Sequence, residues 1–188
     1  AAGNANIAFN PLELLAMAPS VKIQNYAYKN HGNLNFENTS NAWGLTDRGW
    51  TQGAAMADLD NDGDLDLITS NADEEAIIYQ NKTSDLEASN YFRFNFEAPD
   101  QLRIGATVEI TAEDGSYQIA NFCPVRGYMS QSEAAVHFGI GSNSTIQKAV
   151  INWPDGKRET LGKLTVNQMV SVKHENATEN VVWPVTNP

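Results

Sequence analysis

The sequence predicts a mostly β chain with one short amino-terminal helix, and three observations predict it. Short segments rich in β-branched and aromatic residues recur, with apolar side chains alternating with polar ones, as at Val108 and Ile110 or Val136 and Phe138. Turn signals of hairpin type separate them, among them Glu113-Asp114-Gly115 and Pro154-Asp155-Gly156. A helix start signal stands at Asn10-Pro11, an N-cap followed by a proline whose fixed φ suits the first helical turn. At 188 residues the chain has room for one large domain or two small ones, each able to bury a core.

In chain order, residues 1–20 form an amino-terminal segment whose short helix spans residues 11–18. Its Leu12, Leu14, Leu15 and Met17 crowd into barely two turns, which suits a helix that docks on something and carries no chemistry. From Val21 the texture changes to strands: Tyr26 to Tyr28 is one, and His31-Gly32-Asn33 turns the chain into Leu34 and Phe36. His31, without a second histidine or carboxylate at a useful spacing, reads as a solvated turn residue. The segment Ala27-Tyr28-Lys29-Asn30 returns as Ile78-Tyr79-Gln80-Asn81, 51 residues later, an offset the size of one propeller blade.

A second region begins after Ala98-Pro99-Asp100. Val108 and Ile110 lead through Glu113-Asp114-Gly115 to Tyr117 and Ile119, a further strand holds Val136 and Phe138, and residues 146–153 return through Pro154-Asp155-Gly156. With another strand at residues 169–172, this pattern predicts a small antiparallel sandwich or barrel over residues 99–174. Residues 175–188 read as a loose polar tail. Gly139 and Gly141 are not followed by a helix of phosphate-loop type, so they read as a turn.

Composition narrows the function classes. Formal charge is −11, from 23 acidic and 12 basic residues, and Lys29, Lys157, Arg158, Lys163 and Lys173 are scattered without interleaved aromatic residues. A nucleic-acid surface needs clustered positive charge and stacking platforms, so nucleic acid is not an expected partner. Cys123 stands alone, which excludes an internal disulfide and predicts a small buried apolar side chain. No run approaches the roughly 18 apolar residues of a membrane helix, and the chain does not open as a signal peptide would.

The sharpest signal is Asp58-Leu59-Asp60-Asn61-Asp62-Gly63-Asp64-Leu65-Asp66, with five carboxylates in nine residues. Such a cluster repels itself unless a cation sits within it, and a hard, oxygen-seeking ion such as calcium is the natural partner. Asp58, Asp60 and Asp62 alternate and can converge on one point. Gly63 permits the sharp turn that brings the Asp64 carbonyl inward, and Asp66 closes the shell. The position at which an EF-hand carries its bidentate glutamate is Thr69, in a β-branched stretch, so the loop is expected to join two antiparallel strands. Catalysis would need a general base beside the ion. None is found near the loop in sequence, since His137 and His174 lie far along the chain, and His137 reads as a packed strand residue.

With these residues in view, residues 21–82 resemble the FG-GAP/VCBS repeats of β-propeller proteins, through Asn25-Tyr26-Ala27-Tyr28-Lys29-Asn30, Trp43-Gly44-Leu45 and the aspartate loop. Residues 103–172 resemble the ASPIC/UnbV domain. The matching motifs are Ile104-Gly105-Ala106, Arg126-Gly127-Tyr128-Met129-Ser130-Gln131-Ser132, His137-Phe138-Gly139-Ile140-Gly141, Trp153-Pro154-Asp155-Gly156 and Val166-Asn167-Gln168. The order of the two is similar to the carboxy-terminal end of the cartilage acidic protein-like family. The resemblance implies partial β-propeller blades over residues 21–98 and a small β domain after them. It also implies an extracellular, cell-surface or periplasmic location, a calcium site at Asp58, Asp60, Asp62, Asp64 and Asp66, and a role in adhesion.

The expected function is therefore a non-catalytic calcium-binding module that meets a protein or glycan at the cell surface, without inserting into the membrane. One alternative is a purely structural end of a larger propeller, and another is a metal-dependent hydrolase or an accessory to a biosynthetic enzyme. A closed propeller needs about four or more blades. The chain is accordingly expected to be a fragment of a longer polypeptide or to self-associate.

Overall fold

The computed structural model describes residues 10–11, 21–86 and 89–181, so the expected helix over residues 11–18 lies almost wholly outside the described residues. The chain divides into two compact units, Ala1–Trp50 with Ala72–Glu74 and Thr51–Asn71 with Glu75–Pro188.

Among the described residues the first unit holds four short strands, β1 (Ile23–Gln24), β2 (Tyr28–Asn30), β3 (Phe36–Asn38) and β4 (Arg48–Gly49). β1 pairs antiparallel with β4, and β2 with β3. The turn between β2 and β3 closes where His31 N–H donates to the Asn35 carbonyl at 2.9 Å, with Asn33 and Leu34 in the left-handed region at φ 49° and 60°. His31 is not merely solvated, because its Nε2 lies 2.8 Å from Glu37 Oε2. Polar anchors hold these described strands together: buried Ser40 accepts from Ala27 N–H at 2.8 Å and donates to Asn38 Oδ1 at 2.7 Å.

In the second unit the aspartate loop joins β5 (Thr51–Ala57) to β6 (Asp66–Asn71), and β7 (Ile77–Tyr79) completes an antiparallel sheet in the order β5-β6-β7. Thr69 is thus a strand residue, as its β-branched surroundings predict. The remaining strands are β8 (Asn90–Glu97), β9 (Thr107–Ala112), β10 (Tyr117–Asn121), β11 (Val136–Gly141), β12 (Thr145–Asn152), β13 (Lys157–Leu161), β14 (Leu164–Thr165), β15 (Gln168–Lys173) and β16 (Glu179–Asn180). They form a sheet β10-β9-β12-β13-β16, with β14 beside β12, and a second sheet β11-β8-β15. The expected β architecture is therefore present, as open sheets. One pairing departs from an antiparallel pattern, since β15 runs parallel to β8.

Alternation builds the core. Phe92, Phe94 and Phe96 from β8, Val136, Phe138 and Ile140 from β11, and Val172 from β15 meet Val108, Ile110, Ile146 and Ile151 from the larger sheet in one buried cluster. Each fully buried phenylalanine contributes about 1.5–3 kcal/mol by removal from water. Trp153 of the Trp153-Pro154-Asp155-Gly156 hairpin is 1% exposed and stands edge-on to Phe96, so this motif is a core anchor.

Four local details differ from the sequence expectations. β8, on which no strand was expected, is the middle strand of its sheet. Cys123 is half-buried, with Sγ 3.3 Å from the Val125 carbonyl, because its neighbour Phe122 takes the core position. Gly139 and Gly141 lie within β11, where they flank an irregularity in register against β8 and not a turn. The expected loose tail instead continues the fold to Asn180, since β16 pairs with β13 and Ala177 is buried.

Candidate metal centre

Strand period two explains how the loop is held. In β8 the core-facing phenylalanines leave Arg93 on the opposite face, and in β11 the same alternation leaves His137 there, directly opposite Arg93 in register. The aspartate loop lies against this second face. His137 Nε2–H donates to the Gly63 carbonyl at 2.8 Å, which fixes the tautomer, since a carbonyl only accepts. Burial is the main force holding the His137 imidazole below its ordinary pKa, and the Arg93 charge adds to it. The fit beneath Gly63 is tight: its φ is +95°, and a Cβ there would stand 2.0 Å from Tyr91 Cε1. Only glycine meets both demands.

The loop brings three of the five aspartates together. Asp58, Asp60 and Asp62 each offer a carboxylate oxygen, and these atoms lie within 4.8 Å of one another. The other two aspartates bind backbone. Asp66, 4% exposed, accepts from Leu59 N–H at 3.1 Å and Asn81 N–H at 2.8 Å, and Asp64 Oδ2 accepts from Ser84 N–H at 2.7 Å. Asp60 Oδ2 accepts from Gln80 at 2.9 Å. Asp62 accepts from the Ser84 hydroxyl at 2.6 Å and from Asp64 N–H at 2.9 Å. Those two hydrogen bonds, the hydroxyl's first, hold the Asp62 carboxyl below its usual range and keep it charged.

Asp58 is the decisive residue. Its side chain is 1% exposed, and Oδ2 accepts from Arg93 Nη1 at 2.9 Å and from Gly63 N–H at 3.2 Å. Its Oδ1 is buried with no hydrogen-bond partner among the described residues. Buried carboxylate oxygens carry a large desolvation cost unless they are met by a donor or a cation. The second arm of Arg93 grips Glu133, and among the described residues no other basic side chain is ion-paired to these aspartates. Of the five aspartates only Asp58 meets that guanidinium, and it shares it with Glu133. Oxygens around one calcium ion lie about 2.3–2.6 Å from it, so two opposed ligands are about 4.8 Å apart, and the observed cluster fits within such a shell. An all-oxygen donor set of this kind would suit a hard cation better than zinc or copper.

Arg93 and Glu133 hold the candidate site, and the sequence pattern does not announce them. The strict Phe92-Arg93-Phe94-Asn95-Phe96 alternation signals a strand with Arg93 facing away from the core. What covers that outer face comes from 35 residues before Arg93 and 40 residues after it, and no local signal carries that.

Family profiles match both parts of the chain: the family described as ASPIC and UnbV over residues 97–179, and the FG-GAP-like repeat over residues 13–69. The two matches run in chain order, the FG-GAP-like repeat first and the ASPIC and UnbV domain after it. A curated relative, cartilage acidic protein 1 of Xenopus tropicalis, is 25% identical over 141 residues, which is 70% of this chain and 21% of that protein. The chain therefore spans about a fifth of the length of that relative. The FG-GAP-like match ends at residue 69, past the aspartate loop, and the ASPIC and UnbV match begins at residue 97, so Arg93 lies between the two matched segments. Neither matched family is known as a family of enzymes. No helix among the described residues is long and apolar enough to cross a membrane.

Proposed function

We propose that the chain is a calcium-binding, non-catalytic interaction module of an extracellular or cell-surface protein. Asp58, Asp60 and Asp62 would hold the ion, with the Asp64 backbone carbonyl and the free lone pairs of Asp66 available to complete the shell. The observation that carries this reading is the buried, unpartnered Oδ1 of Asp58 within a cluster of three carboxylates. Calcium accepts six to eight oxygens in flexible geometry, which suits a loop that mixes carboxylates and backbone better than the strict octahedron of magnesium does. The ion would cross-brace β5 and β6 at their shared end. Nearby, His137 is occupied by the Gly63 carbonyl, which supports a structural ion over a catalytic one. The FG-GAP-like repeat and the cartilage acidic protein relative support a location outside the cell, where a protein or glycan is the proposed partner.

A second reading, the structural end of a larger β-propeller, is favoured by the β2 and β3 pair. All six of its residues are exposed, including Tyr28 and Phe36, as expected of strands that pack against further blades.

Calorimetric titration of calcium into chelator-stripped chain tests the proposal. One site with a Kd of about 0.1–1 mM is expected, as in other extracellular calcium modules. At calcium tenfold above Kd the folded state gains about 1.4 kcal/mol, seen as a higher Tm. Asp60→Asn should weaken binding without unfolding the chain. A flat titration together with a Tm indifferent to calcium would refute the assignment.

A further inference from the structure

The segment from Arg126 to Glu133 is fastened to the outer edge of β5 in an unusual way. Ser130 Oγ accepts from Ala54 N–H and Ser132 Oγ from Met56 N–H, both at 3.1 Å, while Glu133 N–H donates to the Met56 carbonyl at 2.9 Å. Both serine contacts advance by two residues in the same direction, as a parallel strand would, with hydroxyls in place of carbonyls. A cavity of about 280 Å³ lies beside this clasp, lined by Met56, Leu65, Cys123, Arg126, Glu133 and His137 among others. At the tip, Tyr128 is 67% and Met129 89% exposed, and Met129 sits at φ +44°, a left-handed conformation unusual for a residue other than glycine.

The clasp ends at the metal loop. Glu133 grips buried Arg93, which grips Asp58, and Asp58 N–H reaches back toward Glu133 Oε2 at 3.5 Å. Arg93 Nε is itself buried without a partner among the described residues, so the guanidinium is divided between two carboxylates and saturated by neither. A dication at Asp58 Oδ1 would draw charge from the Asp58–Arg93 pair, leaving more of the Arg93 attraction to Glu133.

We infer that Arg93 and Glu133 couple the aspartate loop to the segment of residues 126–133, so that calcium tightens the clasp that presents Tyr128 and Met129. This rests on the calcium reading above and adds to it a regulated surface. Coupling between sites is reciprocal, so loosening the clasp must weaken calcium binding even though no ligand is changed.

Hydrogen exchange of the full chain in chelator and in calcium, with calorimetry on Ser132→Ala and Glu133→Gln, tests the coupling. Calcium should slow exchange across residues 126–133 as well as in the loop, and Ser132→Ala should raise the calcium Kd at least about fivefold, the low end of typical couplings. Ser132→Ala serves if Glu133→Gln does not fold. If calcium binds and protects the loop while residues 126–133 exchange unchanged, or while Ser132→Ala binds as wild type, the coupling is overturned and the calcium reading stands. If wild type binds no calcium, both fall.

Discussion

Two buried carboxylate oxygens without partners, Asp58 Oδ1 and Glu159 Oε2, show how residue environment decides chemistry. Asp58 stands beside Arg93 and clusters with Asp60 and Asp62, and its orphan oxygen is the atom that the proposed cation would meet. Glu159 has no ion pair among the described residues, and burial alone raises its pKa above 4.5. The folded chain therefore binds this proton more tightly than the unfolded chain does. The stability contributed by Glu159 is full below 4.5 and is lost as pH rises through the raised folded value. Glu159→Gln, which removes the charge, should match wild type in melts near pH 4 and exceed it in Tm by a margin that grows toward neutrality. A margin independent of pH would contradict this assignment. The convergence of Asp58, Asp60 and Asp62 was legible because the alternate spacing that brings them together is local. Neither the role of Asp66 as an acceptor for two backbone N–H groups nor the orphan oxygen of Asp58 was legible, because each depends on what folds against it.

Among the elements, β8 organises the second unit. One face supplies Phe92, Phe94 and Phe96 to the core, and the other supplies Arg93 to the aspartate loop. Phe94→Ala should therefore cost about 3–5 kcal/mol in urea unfolding, the range for a buried phenylalanine. A loss under about 1 kcal/mol would mean that β8 is not central, since such losses belong to surface positions. The β9–β10 hairpin was legible from Glu113-Asp114-Gly115, where Gly115 takes the positive φ its turn requires. β16 was not, because Glu179 and Asn180 look like polar tail and become strand only through pairing with Arg158 and Lys157. The parallel partnership of β15 with β8 escaped notice for a similar reason: residues 169–172 announce a strand, but not the neighbour 76 positions earlier on which it lies.

On the scale of the whole molecule, the fold class and the two families were legible from motifs, whereas the packing of the aspartate hairpin with the ASPIC and UnbV domain was not. The hairpin of β5 and β6 falls in the same compact unit as the following domain, fastened by Arg93, Glu133, His137 and two serine hydroxyls. All of these contacts join residues far apart in the chain, so none leaves a periodic trace in the sequence. An account in which a cation completes this junction is tested most directly by a crystal structure grown in calcium-containing solution, with data collected where calcium scatters anomalously. The expected result is one anomalous peak about 2.3–2.6 Å from oxygens of Asp58, Asp60 and Asp62. The account is contradicted if those carboxylates stand apart with only water between them while the solution holds calcium well above its Kd.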